Sequence, residues 1–260
     1  MHATRSADGT TLMFDRIGAG PAVVLVEGAL NALTTTLPVA ALLQDRFSAF
    51  AYDRRGRGGS GDPGTCSVER EIEDLAAVVA EAGGSAAVFA NCSGSALALR
   101  AAAEGVGITA LALYEPPFLT DGLHSLPPGY TEDLARCIAE GRRGDALELF
   151  MRGAVQLPAA HVDAVRSGPM WAQLEELAPT LLHDHAAMGD YSLPTDLLAD
   201  VAVPTLVIEG DRSPDWARNS AGKLVEALPR AELHTLRGHS HLLVPTAVAP
   251  VVGDFLDRAA

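Results

Sequence analysis

The stretch from Ala86 to Arg100, AAVFANCSGSALALR, constrains this chain more than any other. A short apolar run (Ala86 to Ala90) meets an Ala- and Leu-rich helical pattern across a very sharp turn. A polar residue at such a strand-to-helix turn is pushed out as an exposed nucleophile, and the positions two before and two after it must be small. With Cys92 at the tip those positions are Ala90 and Gly94; with Ser93 at the tip they are Asn91 and Ser95. Sterics and the count from the strand favour Cys92, a cysteine where serine is usual, with Ser93 as the second candidate. The non-catalytic reading of Cys92 is a buried structural thiol.

Around this stretch the chain alternates. Asp8-Gly9 marks a hairpin turn between two short extended segments. Ala22 to Val26, Phe47 to Tyr52, Ala86 to Ala90 and Ile108 to Tyr114 are apolar runs of the length of strands buried on both faces. Between them, Leu37 to Asp45 and Glu69 to Ala82 carry helical spacing. The rhythm predicts a mostly parallel, twisted sheet with helices on both faces. From Phe118 to Leu198 it changes to helices only, near 131–142, 144–155, 159–167 and 170–183. Strands resume at Val203 to Glu209 and Glu232 to Leu236, with helices near 215–228 and 246–258. The expected organisation is an α/β core of residues 1–117 and 199–260, with an α-helical cap, 118–198, over the sheet's carboxyl edge. Ligands of open α/β sheets bind at that edge.

Composition limits the partners. With 33 acidic against 19 basic residues the net charge is −14, and the acids are scattered, which argues against a nucleic-acid face. Cys66, Cys92 and Cys137 are widely spaced without a C-x-x-C pair, so neither a disulfide framework nor a metal site is expected, and no cofactor is called for. The first residues lack a signal-peptide core, and no run reaches about 20 apolar residues. The expectation is a soluble cytoplasmic protein with a small-molecule partner and no membrane or nucleic-acid partner.

Four features in order carry a resemblance. They are the strand ending in Glu27-Gly28-Ala29, the Asp53-x-Arg-Gly-x-Gly-x-Ser60 turn, the elbow Ala90-Asn-Cys92-Ser-Gly94, and a late Gly-x-x-His ending at His241. The Gly-rich turn lacks the spacing and the directly following helix of a phosphate-binding loop, so it is read as structural. Together the four resemble the α/β-hydrolase fold family over essentially the whole chain. The sequence departs from the family pattern at Cys92 for serine, Ala90 for glycine and Glu27 for histidine.

The resemblance implies a nucleophile, a base and a carboxylate, in that chain order. The base is placed at His241, four residues before Pro245, with His239 as alternative. For the acid two positions stand open. The usual Gly-x-x-Asp position after the later strand is occupied by Ser213, with Asp211 displaced by two; Glu115, ending the earlier strand, is slightly favoured. The backbone N–H groups of Ala29 and Ser93 are the expected oxyanion donors. Trp171, Met151 and Tyr191 are candidate substrate contacts from the cap, with Phe150, Met170, Leu181 and Met188 behind them.

The leading function is hydrolysis of an ester, thioester or lactone through a Cys92 acyl-enzyme. The same thioester also serves acyl transfer or cyclisation, and a non-catalytic binding member is the third reading.

Overall fold

The computed structural model describes residues 1–64, 66–120, 122 and 125–259. Eight strands form one sheet: β1 (His2–Arg5), β2 (Thr11–Ile17), β3 (Ala22–Val26), β4 (Ser48–Tyr52), β5 (Ala86–Asn91), β6 (Ile108–Tyr114), β7 (Thr205–Gly210) and β8 (Ala231–Leu236). Their order is β1-β2-β4-β3-β5-β6-β7-β8. β1 and β2 are antiparallel, β2 is antiparallel to β4, and every other neighbouring pair is parallel. The antiparallel β1–β2 hairpin turns at Asp8, whose carboxylate accepts from the Thr10 N–H at 2.9 Å.

The apolar runs are continuous because both faces of the central strands are covered. Alternate residues go to opposite sides, as the period of two requires. Val24, Val26, Val88, Ala90, Leu111 and Val207 enter one core. Val23, Leu25, Phe89, Ala112, Leu206 and Ile208 enter the other. The first core is closed by α2 (Val68–Glu81), α3 (Ser93–Ala103) and α10 (Asp215–Ala227), the second by α1 (Leu33–Leu43) and α11 (Pro245–Ala259). α2 begins where Ser67 accepts from the Arg70 N–H and ends at Gly83-Gly84, both with positive φ. Each fully buried valine or leucine side chain contributes about 1.5–3 kcal/mol, so these two layers dominate stability.

Between β6 and β7 run α4 (Tyr130–Ala139), α5 (Arg143–Leu149), a π-helical turn (Phe150–Ala154), α6 (Ala159–Arg166), α7 (Trp171–Leu177), α8 (Leu181–Met188) and α9 (Thr195–Leu198). α4, α5 and the start of α8 share a small core of Tyr130, Leu134, Leu147, Ala178 and Leu181. α8 also packs on α2 and α3, which anchors this segment to the sheet. Among the described residues no helix is long and apolar enough to cross a membrane.

The chain runs from β3 outward to β4 and returns to β5 on β3's other side. The crevice at such a reversal, beyond the carboxyl ends of the strands, is where open α/β sheets hold ligands. Glu27-Gly28-Ala29 leaves β3 there and Cys92 leaves β5.

Candidate active site

Cys92 has φ 50° and ψ −129°, a conformation that side chains other than glycine's rarely adopt. Such strain costs about 1–3 kcal/mol and persists only where the surroundings impose it. Two glycines make it possible. A Cβ on Gly94 would stand 2.7 Å from the Glu27 carbonyl oxygen and 2.8 Å from that of Val26. A Cβ on Gly28 would stand 2.7 Å from the Cys92 Cβ. The β3 exit, the elbow and the start of α3 therefore meet in contact. The thiol sits half-buried at the N-terminus of the eleven-residue α3, whose dipole favours negative charge. Ser93 is the first residue of α3, and its hydroxyl donates to Asp184 Oδ1 at 2.7 Å.

On the next strand, Glu115 follows β6, also with positive φ (53°), and is fully buried. Its Oε1 accepts from the Gly210 N–H at 2.7 Å and the Ser213 hydroxyl at 2.6 Å. Its Oε2 is 3.1 Å from His241 Nδ1. Burial pushes the His241 pKa down, but the Cys92 sulfur and then the Glu115 carboxylate outweigh it, raising the ring to about 10. Nδ1–H donates to the Glu115 carboxylate, which leaves Nε2 as the ring nitrogen available to the sulfur. Trp216 lies against the ring, centroids 5.7 Å apart.

Of the residues singled out from the sequence, the structure brings Cys92, His241, Glu115, Ala29, Ser93 and Tyr191 around one cavity or in contact with it. Asp211 is elsewhere. It is exposed at the end of β7, and its Oδ1 accepts from the Gly238 N–H at 2.7 Å, so it shapes the turn before His239. The Gly210 Cα abuts the His239 backbone, whose carbonyl accepts from Arg212. Met151 is buried within the helical segment, and Trp171 packs beside its small core; neither lines the cavity. Amphipathic helices present apolar residues to both a core and a cavity, and residue type does not separate the two. Trp216, at the first turn of α10, lines the cavity and was not among the residues singled out from the sequence.

The cavity has two parts that share Ala29, Cys92, Phe150, Val155 and His241. The inner part, about 30 Å³, is closed by Pro117, Met188, Tyr191 and Trp216. The outer part, about 450 Å³, is a groove along Asn31, Thr35, Asn91, Leu157 and Leu242.

Beneath it lies a buried charge cluster without a separate sequence signal. Arg54 pairs with Glu71 at 2.6 Å and Asp184 at 2.8 Å, and Arg57 pairs with the other Asp184 oxygen at 2.8 Å. Burial raises the Asp184 carboxyl's pKa, but Arg57 and Arg54 overcome it and hold it at about 2. Glu27 is buried too; its Oε1 accepts from the Arg54 N–H at 3.2 Å and its Oε2 has no partner. Burial, only partly offset by Arg57, raises Glu27 to about 8, so it is mostly neutral at pH 7.

A second thiol–imidazole–carboxylate row, Cys66, His183 and Asp62, has contacts of 3.1 Å. Cys66 is an exposed residue, yet desolvation of its sulfur, and then Glu71, Asp62 and Asp184, push the thiol up to about 12, so it stays a neutral donor. Among the described residues no group of three or more His, Cys, Asp or Glu side chains is arranged to hold a metal ion.

The comparisons agree with this architecture. An α/β hydrolase from Sphaerobacter thermophilus superposes with a TM-score of 0.93 at 46% identity, covering 98% of this chain and 100% of that one. An enol-lactonase from Burkholderia xenovorans shares the fold (TM-score 0.74, 20% identity, 98% of this chain and 99% of that one). The N-formylmaleamate deformylase of Pseudomonas putida is 31% identical over 155 residues, 56% of this chain; the match spans 57% of that protein's length. The family model described as "Alpha/beta hydrolase family" matches residues 23–252, and the chain belongs to that family.

Proposed function

We propose that this protein is an acyl hydrolase working through a thioester on Cys92, with His241 as proton carrier and Glu115 as the group that holds it. The observation that carries the reading is the contact of Glu115 Oε2 with His241 Nδ1 at 3.1 Å, with His241 and the Cys92 of the strained elbow lining one cavity. A thiolate is the reactive form of cysteine, and a neighbouring imidazolium and a helix N-terminus both favour it.

The Cys92 thiolate attacks the substrate carbonyl carbon, and the oxygen that gains charge is received by the N–H groups of Ala29 and Ser93. As the first residue of α3, Ser93 has no carbonyl one turn back to bind, so its N–H is free for this use. His241 Nε2–H passes its proton to the leaving group as the carbon–heteroatom bond breaks, and the neutral ring remains. Water then gives a proton to that ring and attacks the thioester, releasing the acid and the thiolate. Glu115 keeps the ring oriented throughout and is not itself protonated.

Helices α4 to α9 serve in this reading as the cap, since Phe150, Met188 and Tyr191 from that segment close the inner chamber. That chamber suits a very small acyl group and the groove a larger leaving group. The Pseudomonas putida relative is named as a deformylase, and removal of a one-carbon acyl group fits the same geometry.

The test is the acetyl adduct. Mixed with p-nitrophenyl acetate and quenched in acid, the protein should gain one acetyl group on the peptide that contains Cys92, and Cys92→Ala should lose both the adduct and turnover. Iodoacetamide should label Cys92 ahead of Cys66, whose thiol is pushed up to about 12, and ahead of buried Cys137. Full turnover by Cys92→Ala would overturn the reading.

A further inference from the structure

The two peptides assigned above as oxyanion donors are tied to one carboxylate, and that carboxylate comes from the helical segment. A trans peptide is planar, so the Gly28 carbonyl and the Ala29 N–H are fixed together and point in opposite directions. The Gly28 carbonyl accepts from Arg57 Nη1, and the preceding Glu27 carbonyl accepts from Arg54 Nη1 at 3.1 Å. Arg57 Nη2 donates to Asp184 Oδ2 at 2.8 Å, and Arg54 Nη1 donates to Asp184 Oδ1 at 2.8 Å. Asp184 Oδ1 also accepts the Ser93 hydroxyl, and Ser93 carries the other donor N–H. All four side chains are buried, Arg54, Arg57 and Asp184 almost completely.

We infer that Arg57 and Asp184, with the Ser93 hydroxyl, are positioning residues that set both backbone donors for the oxyanion. This inference rests on the acyl-enzyme reading above. A guanidinium on the carbonyl side of the Gly28–Ala29 peptide holds its plane and, in a low-dielectric surrounding, polarises its N–H toward stronger donation. Asp184 is the counter-ion that fixes Arg57 and also fixes the first residue of α3. Its charge is fully engaged by Arg54, Arg57 and Ser93, so it contributes orientation and not a free anion in the chamber. Because Asp184 belongs to α8, the donor geometry depends on that segment being seated on α3.

The experiment separates the oxyanion from the sulfur. Acylation of Cys92 by p-nitrophenyl acetate creates charge on oxygen, whereas alkylation by iodoacetamide displaces iodide at a saturated carbon and creates none. Arg57→Lys, Asp184→Asn and Ser93→Ala are compared with wild type for burst rate and alkylation rate. Misplaced donors cost on the order of 10²-fold, the loss expected in acylation for Arg57→Lys and Asp184→Asn; roughly 10-fold is expected for Ser93→Ala, which loses a charge-assisted hydrogen bond. Alkylation should stay within about twofold of wild type, since His241 and the elbow are untouched. If Asp184→Asn does not fold, Ser93→Ala carries the test, because it leaves both guanidiniums paired. Equal losses in both rates, or no loss in either, would overturn the inference while leaving the acyl-enzyme intact. Unchanged turnover by Cys92→Ala would instead overturn the reading beneath it.

Discussion

Ser213 donates its hydroxyl to Glu115 Oε1 at 2.6 Å, which leaves Oε2 to face His241. The serine occupies the Gly-x-x-Asp position at which the family resemblance led to an acid being expected after the later strand. β6 supplies the carboxylate and β7 supplies a hydroxyl that orients it.

Glu115→Gln should therefore lower kcat on the order of 10²–10⁴-fold, the range seen when a triad acid becomes an amide and the imidazole loses its orienting charge. Asp211→Asn should leave kcat within about threefold, because asparagine still accepts from the Gly238 N–H. Steady-state kinetics with p-nitrophenyl acetate on both variants checks this. A large loss in Asp211→Asn with little in Glu115→Gln would reverse the assignment.

The His241 ring should titrate near 10 and not near 6.5, as followed by its ring-proton chemical shifts. A raised histidine pKa contributes stability that is fully present below the unfolded value and is lost as pH rises through the folded one. That contribution should fade between about pH 6.5 and 10. The Cys92 sulfur is the largest of the influences that raise the ring, so Cys92→Ala should move the titration down toward the ordinary range. An unchanged titration in that variant would mean that the ring does not pair with the sulfur.

How far the sequence carries differs between fold and site. The buried strands are legible because a sheet covered on both faces leaves no polar position in runs such as Ala22 to Val26, and the elbow is legible because its small flanking residues answer a steric demand. In the sequence Glu115 is only slightly favoured over Asp211 because both follow strand ends; what separates them is contact across the fold, Glu115 facing His241 and Asp211 taken up by the Gly238 N–H. The Arg57–Asp184 pair joins residues 127 positions apart, and buried arginines carry the same letters as solvated ones. Met151 and Trp171 show the same limit within helices, where spacing gives the apolar face but not what lies against it.

Glu27 supplies a pH dependence of stability that is independent of catalysis. Burial raises its carboxyl to about 8 from an ordinary 4.5, so the folded protein favours the neutral acid. The stabilisation is complete below about pH 4.5 and is lost as pH rises through 8, since the ionised form has a partnerless Oε2 beside Asp53. The loss should amount to roughly 3–5 kcal/mol, or about 5–15 °C in Tm for a chain of this size. Glu27→Gln keeps the shape without the charge, and its Tm should be flatter than the wild type's from pH 5 to 9. Parallel curves for the two proteins would show that Glu27 does not titrate in this range.

The inner chamber sets the acyl length. At about 30 Å³ against about 450 Å³ for the groove, it is the narrower of the two parts, so a short acyl chain fits it better than a long one. Met188 closes that chamber from the end of α8 and is 2% exposed. Wild type should prefer formyl and acetyl over butyryl p-nitrophenyl esters, by roughly 10-fold or more per methylene that does not fit. Met188→Ala opens space for about three further heavy atoms, at a cost in stability of about 2–5 kcal/mol. Its butyrate-to-acetate ratio of kcat/KM should rise at least 10-fold, with the acetate value little changed because small acyl groups do not reach Met188. The leaving group lies in the groove, so changing p-nitrophenol for a bulkier phenol should leave the ratio as it was. A wild-type preference for long acyl chains, or a ratio unmoved by Met188→Ala, would place the acyl group in the groove and the leaving group inside.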